Sequence, residues 1–302
     1  MGSGFRTHLV RYEGGILACG YRLRKSKFFV YIPIDICYNE PKDIQKGTQI
    51  MKYEDILAWW KNEKKDTKED IYTLLDNFKI LFAYHSGKIE NETITLHDTR
   101  EIFENGSVIN YTGDLRTLFE IKNQKDCFDS LVEKIVAKQE ITLDLILELH
   151  RQLMKGCYDE TRYLKGERPG EWKKHDYVTG DGVGAMPEDV PEEIQELLEE
   201  IQEAEGNDVL TIAAYLHLRF EEIHPFADGN GRVGRTLLNY YLMTHGYPPL
   251  VLYSEDKKTY YLALSVYDKT GQIDGFKEFL KEQMIKTWEK KKRVPVNLNM
   301  FI

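Results

Sequence analysis

The chain has 302 residues, 42% hydrophobic and 30% charged, enough to bury the core of one large domain or of a domain with an appendage. A formal net charge of −9 gives a surface that repels phosphate backbones, which argues against general nucleic-acid binding. No apolar run approaches bilayer-spanning length, and Cys19, Cys37, Cys127 and Cys157 have neither CxxC nor zinc spacing; with no signal segment visible, a reducing cytoplasmic setting is expected, with no membrane partner.

Residues 15–23 and 27–36, rich in aromatic and β-branched side chains and split by a charged turn, predict two strands, paired as a hairpin. From about Tyr53 the period becomes helical. Residues 71–84 place Leu74, Leu75, Phe78, Leu81 and Phe82 on one face and then meet Ser86-Gly87. Thr95 with Asp98 three residues on predicts a capped helix that stops at Gly106. Amphipathic stretches at 119–138 and 143–155 follow, the second ended by Gly156. After an irregular, glycine-rich segment at 167–187, Asp189 and Pro191 open a helix that Gly206 closes. Two strongly apolar helices are predicted at 208–223 and 231–245, and two more at 257–267 and 276–290. The basic cluster at 290–293 reads as a cap on the last of them.

Between the two apolar helices lies His224-Pro225-Phe226-Ala227-Asp228-Gly229-Asn230-Gly231-Arg232-Val233-Gly234-Arg235. Gly229, Asn230 and Gly231 can adopt positive φ and turn successive N–H groups toward an anion, beside the positive end of the following helix. Arg232 and Arg235 share a helix face, roughly 4.5 Å apart along the axis, a spacing that suits neighbouring phosphates. Asp228 is a hard oxygen ligand suited to Mg²⁺, and His224 titrates in the range of a general base. Singly, each has an ordinary reading as a turn, a solvated helix face or a satisfied loop histidine. Together they are the parts of a phosphoryl- or nucleotidyl-transfer site.

The stretch resembles the Fic family signature HPFx(D/E)GNGRxxR at every fixed position, a match whose chance is on the order of 10⁻¹² per start. The resemblance implies a mainly α protein: a Fic-type helical bundle with a β-hairpin flap, beside a small strand-containing N-terminal region. Residues 1–60 would be that region, 61–109 a helical segment, and 110–302 the Fic core. It further implies AMP transfer from ATP to a Ser, Thr or Tyr hydroxyl of a protein target. His224 would be the base and Asp228 the Mg²⁺ ligand. Gly229, Asn230 and Gly231 would form the anion hole, with Arg232 on the β-phosphate and Arg235 on the γ-phosphate. The flap would lie at 172–187, its target-pairing edge running between Lys174 and Thr179, although Trp172-Lys173 stands where many relatives have an aromatic-Arg pair. Tyr260 or Tyr261 would line the adenine pocket. A homodimer stays open.

Some members carry an inhibitory helix with the motif (S/T)xxxE(G/N). Residues 86–91 fit it, with Ser86, Glu90 and Asn91 at the fixed positions, where a chain of this length holds roughly 0.3 accidental matches. Glu90 would pair with Arg235 and keep it from the γ-phosphate, or position water for removal of AMP. The alternatives are a Fic-fold transferase using UMP or another phosphate-containing donor, and a nucleotide sensor or adaptor with little turnover.

Overall fold

The computed structural model describes residues 7–11, 17–21, 52–179 and 182–289. The chain runs β1 (Thr7–Arg11), β2 (Leu17–Tyr21), α1 (Tyr53–Asn62), α2 (Lys68–Leu74), α3 (Asp76–Glu90), α4 (Leu96–Asn105), α5 (Leu115–Val136), α6 (Leu143–Leu153) and α7 (Glu160–Leu164). It continues β3 (Val178–Thr179), β4 (Gly182–Val183), α8 (Val190–Glu203), α9 (Val209–Ile223), α10 (Asn230–Thr244), α11 (Lys257–Thr270) and α12 (Asp274–Trp288). The protein is mainly helical, as expected.

α9 and α10 lie against each other at the centre, with α8, α11 and α12 around α9 and α3, α5 and α6 around α10. α9 is apolar on nearly every face, so it has no stable place but the interior, and α10, although it carries Arg232, Arg235 and Asn239, is buried along almost its whole length. At the far end, α1 and α3 join α12 through aromatic rings: Trp288 lies 5.1 Å from Trp59, 5.6 Å from Trp60 and 5.9 Å from Phe78. The apolar core runs without a break from Ile56 to Trp288, and α1 spans the expected division at residue 60.

Local chemistry explains most boundaries. Thr95 Oγ1 accepts from Asp98 N–H and Gly106 takes φ +76°, which brackets α4 where expected. Asp208 caps α9 through Thr211 N–H. The expected helix at 71–84 is two helices. Thr67 and Asp70 form a capping box that starts α2, and the chain bends at Leu75 (φ −102°, ψ 12°) before α3. The bend loses no backbone bond there, since Leu75 N–H donates to Ile71 O and Leu75 O accepts from Lys79 N–H. Gly87 does not stop α3, which runs on to Glu90, with Ile94 packed against Gly87. α5 starts earlier than its apolar pattern, because the Asp114 carboxylate accepts from Arg116 N–H. α7, capped by Asp159, was not expected.

β1 and β2 pair antiparallel, with Leu9 opposite Cys19. β2 falls within the strand expected at 15–23; the strand expected at 27–36 and the basic cluster at 290–293 lie outside the described residues. Among the described residues no helix is long and apolar enough to cross a membrane.

Candidate active site

The loop between α9 and α10 is shaped by its own sequence. Pro225 disfavours the right-handed helical conformation at the residue before it, so α9 must end at His224. His224 takes φ +51° and ψ +62°, and its N–H still donates to Phe220 O at 3.1 Å. A left-handed histidine is uncommon and strained by about 1–3 kcal/mol. Gly229 takes φ +87° and starts α10; a Cβ there would stand 2.5 Å from Met154 Sδ. Of the three residues expected to reach positive φ, only Gly229 does, because Asn230 and Gly231 already form the first turn of α10. The Asn230 side chain turns inward and pins the loop, accepting from Phe226 N–H (2.9 Å) and donating to Phe226 O (2.8 Å). The Phe226 ring is clamped by His150, stacked at 3.7 Å, and by Trp172 at 5.2 Å.

His150 was missed, and it fixes the loop twice. Gly170 N–H donates to its Nδ1 at 2.8 Å, so Nε2 carries the proton and donates to Asp228 O at 3.0 Å. Burial pushes this imidazole down to about 3, keeping it neutral. Its place among Ile146, Leu149 and Leu153 on the buried face of α6 was the only signal.

His224 is half-buried, and burial, assisted by the charge of Lys173, pushes it down to about 4. At neutral pH its ring is unprotonated and able to accept a proton. Lys173, whose charge acts on His224, and the two signature arginines each have unused hydrogen-bonding capacity. Lys173 Nζ, Arg232 Nε and Arg235 Nη1 are buried without a hydrogen-bond partner. Buried donors left unpaired are costly, and two of these lie in the first turns of α10 and the third in the segment bonded to Pro225 O, a grouping that points to an anion.

Arg235 is 1% exposed. Its Nε donates to Ser86 Oγ (3.0 Å), and its Nη2 donates to Ser86 O (2.9 Å) and Glu90 Oε1 (2.9 Å). Glu90 Oε1 lies over the start of α10, where a Cβ on Gly231 would stand 2.4 Å from it. The three motif residues Ser86, Glu90 and Asn91 thus end α3 against α10, with Asn91 as the C-cap. Below Arg235, Glu221 Oε1 is buried and unpartnered, and burial pushes its carboxyl up to about 8.

Asp228 holds three guanidinium groups. Oδ2 accepts from Arg116 Nη2 at 2.9 Å and lies 3.4 Å from Arg162 Nη2, while Oδ1 accepts from Arg232 Nη2 at 3.4 Å. Burial would raise this carboxyl, but the charges of Arg232, Arg116 and Arg162 outweigh it and hold it below its usual range. Among the described residues no group of three or more His, Cys, Asp or Glu could hold a metal. One ionised carboxylate does suit a Mg²⁺ that arrives with a polyphosphate, since such an ion keeps its water and phosphate ligands. Arg116, Arg162 and the Arg232 partner Glu120 were all missed; Arg116 and Arg162 lie outside the stretches with apolar periodicity, and Glu120 lies inside one, at a position with no signature residue beside it.

The segment expected to form the flap, 172–187, is tied to this loop near both ends. Lys173 N–H donates to Pro225 O and Ala185 N–H to Ile223 O, each at 2.9 Å. A Cβ on Gly184 would stand 2.4 Å from Ile223 O and 2.7 Å from His224 Cβ. β3 and β4 pair as a two-residue ladder, Val178 opposite Val183. The expected edge between Lys174 and Thr179 is extended only over its last two residues. The rest is drawn inward by Glu167, buried, whose carboxylate accepts from Lys174 N–H, His175 Nδ1 and Tyr177 OH.

The two tyrosines separate. Tyr260 is 1% exposed and its hydroxyl pairs with His217 Nε2 at 2.9 Å, which places it in the core behind Arg235 and not on an open pocket wall. Tyr261 is 42% exposed.

Residues 140–242 match the Fic/DOC family. The chain is 32% identical over 206 residues to "Protein adenylyltransferase Fic" of Drosophila persimilis, covering 68% of this chain and 39% of that protein. It is also 32% identical over 193 residues to "Protein adenylyltransferase fic-1" of Caenorhabditis elegans, covering 62% of this chain and 36% of that one. The chain thus spans well under half the length of these relatives. Its fold is similar to a Fic domain containing signaling protein from Bacteroides thetaiotaomicron (TM-score 0.67, 26% identity, covering 78% of this chain and 92% of that one). A fragment of Fic-1 from C. elegans gives a TM-score of 0.65 at 26% identity, covering 79% of this chain and 69% of that chain. Relatives, fold and the loop between α9 and α10 agree, and the chain belongs to the Fic family.

Proposed function

We propose that this protein is an adenylyltransferase that moves AMP from Mg-ATP to a Ser, Thr or Tyr hydroxyl of a protein target, and that Glu90 restrains it. The observation that carries the reading is the set of buried donor nitrogens without a partner, Lys173 Nζ, Arg232 Nε and Arg235 Nη1, the last beside a helix start over which the Glu90 carboxylate lies. A polyphosphate would satisfy those donors and the free N–H groups of α10 together. The names of the relatives support AMP as the group transferred.

The residues then divide the work. His224 takes the proton of the target hydroxyl as oxygen attacks the α-phosphorus and pyrophosphate leaves. The start of α10 and the paired arginines stabilise charge on the phosphate oxygens. Asp228 holds the Mg²⁺ of the substrate complex, which neutralises phosphate charge. Glu90 shares Arg235 with the γ-phosphate, so productive binding requires its displacement; once displaced, the same carboxylate is placed to orient water for removal of AMP. The target lies along the flap, paired at Val178 and Thr179, with Tyr261 beside the adenine.

Incubation of the Glu90→Gly protein with a target lysate and either α-labelled or γ-labelled ATP tests this. Label retained on protein from the α position alone is the expected result. Label from the γ position alone would mean phosphate transfer and would overturn it.

A further inference from the structure

Glu120 belongs to none of the signature positions, yet it binds the same two guanidinium groups as Asp228 beside the candidate phosphate site. Its Oε1 accepts from Arg116 Nε at 3.0 Å and from Arg232 Nη1 at 3.2 Å. The same two guanidinium groups reach Asp228, Arg116 through Nη2 at 2.9 Å and Arg232 through Nη2 at 3.4 Å. Two carboxylates and two guanidiniums therefore close a ring of alternating charge.

The two carboxylates are not equivalent. The Glu120 side chain is 4% exposed, whereas that of Asp228 is 20% exposed. Glu120 is also held from behind. Its Oε2 accepts from Asn91 Nδ2 at 2.9 Å. The Asn91 amide has one orientation, because its Oδ1 accepts from Thr93 N–H, a group that can only donate. Asn91 is the C-cap of α3, one residue beyond Glu90.

We propose that Glu120 is a positioning residue that holds Arg116 and Arg232 in place when Asp228 turns to the nucleotide's metal, and that Asn91 makes this hold depend on the docked end of α3. Without a second carboxylate, opening the ring would leave a buried Arg232 unpaired, and Asp228 would stay locked to both guanidiniums. Two consecutive residues at the end of α3 thus govern the two signature arginines: Glu90 takes Arg235 directly, and Asn91 sets Arg232 through Glu120. This inference rests on the loop being a site for a nucleoside polyphosphate.

The test measures binding and not turnover. In the Glu90→Gly chain, which keeps the Glu90 carboxylate out of the comparison, ATP affinity is read by calorimetry in saturating Mg²⁺. Glu120→Gln is expected to weaken ATP by about tenfold, the scale of a lost charge-assisted bond, while Glu120→Asp, which keeps the charge, stays nearer the parent. Asn91→Ala is expected to weaken it by about fivefold, the scale of one ordinary hydrogen bond. Equal affinities for Glu120→Gln and its parent overturn the proposal, as do equal losses for Gln and Asp, which would mean that shape and not charge matters. An unchanged Asn91→Ala overturns the link to α3. A chain that binds ATP with these differences but transfers no AMP would defeat the adenylyltransferase reading and leave this one standing.

Discussion

At the scale of single residues, burial decides which groups hold charge. His224 is pushed down to about 4, so its ring is expected to stay neutral through the neutral range. An imidazole whose folded pKa lies below its unfolded value lowers stability as pH falls from about 6.5 toward 4, because the unfolded chain then binds more protons. Proton NMR of the free protein should give a His224 midpoint below pH 5; a midpoint at 6 or above would remove the case for a desolvated base. His224→Ala should slow transfer by about 10²–10⁴-fold while leaving ATP affinity near the parent value, as a base acting on the target hydroxyl requires. Weakened ATP binding with an unchanged rate at saturation would contradict that role. Glu221 works in the opposite sense. With its carboxyl raised to about 8 by burial, the folded chain holds a proton that the unfolded chain gives up, so stability falls as pH rises from about 4.5 through 8. Glu221→Gln should remove this slope, and its melting temperature should rise relative to the parent between pH 5 and 8. Parallel curves would place Glu221 in water.

At the scale of elements, what the sequence made legible was what repeats or punctuates. α9 follows from apolar residues on nearly every face, α10 from its run of Leu and Tyr between Gly231 and Gly246, α4 from Thr95, Asp98 and Gly106, and the loop between α9 and α10 from a dense signature. The break at Leu75 was not legible, since Ile71, Leu74, Leu75 and Phe78 keep a helical spacing straight through it and all are buried. Gly87 misled in the other direction, because a glycine packed under Ile94 serves closeness and not termination. Arg116, Glu120, Arg162 and His150 escaped because their roles come from partners far along the chain, 112 residues apart for Arg116 and Asp228. The segment at 172–187 shows how an element can depend on a single hydrogen atom. At Gly184 the close neighbour is the Ile223 carbonyl, a backbone atom that cannot swing aside. Gly184→Ala should therefore displace the flap and lower transfer to a protein target by tenfold or more (about 1.4 kcal/mol of barrier), with ATP affinity little changed. Transfer at the parent rate would mean that the flap does not position the target.

At the scale of the whole molecule, α3 belongs to the same apolar core as the central helices, so the carboxylate it carries is held by packing and not by a tether. Arg235 is bound to α3 at three points, Ser86 Oγ, Ser86 O and Glu90 Oε1, and only the last carries charge. Removing Glu90 should thus free Arg235 for a phosphate while Ser86 keeps it in place. Replacing Arg235 as well should cancel the gain. The most direct measurement is the intact mass of the parent, Glu90→Gly and Glu90→Gly/Arg235→Ala proteins over time in Mg-ATP. The expected result is self-labelling with AMP that is slow in the parent, well above it in Glu90→Gly, and low again in the double variant. Equal labelling of parent and Glu90→Gly at every ATP concentration would contradict restraint by Glu90, and no AMP on any of them or on a target would contradict the transferase itself.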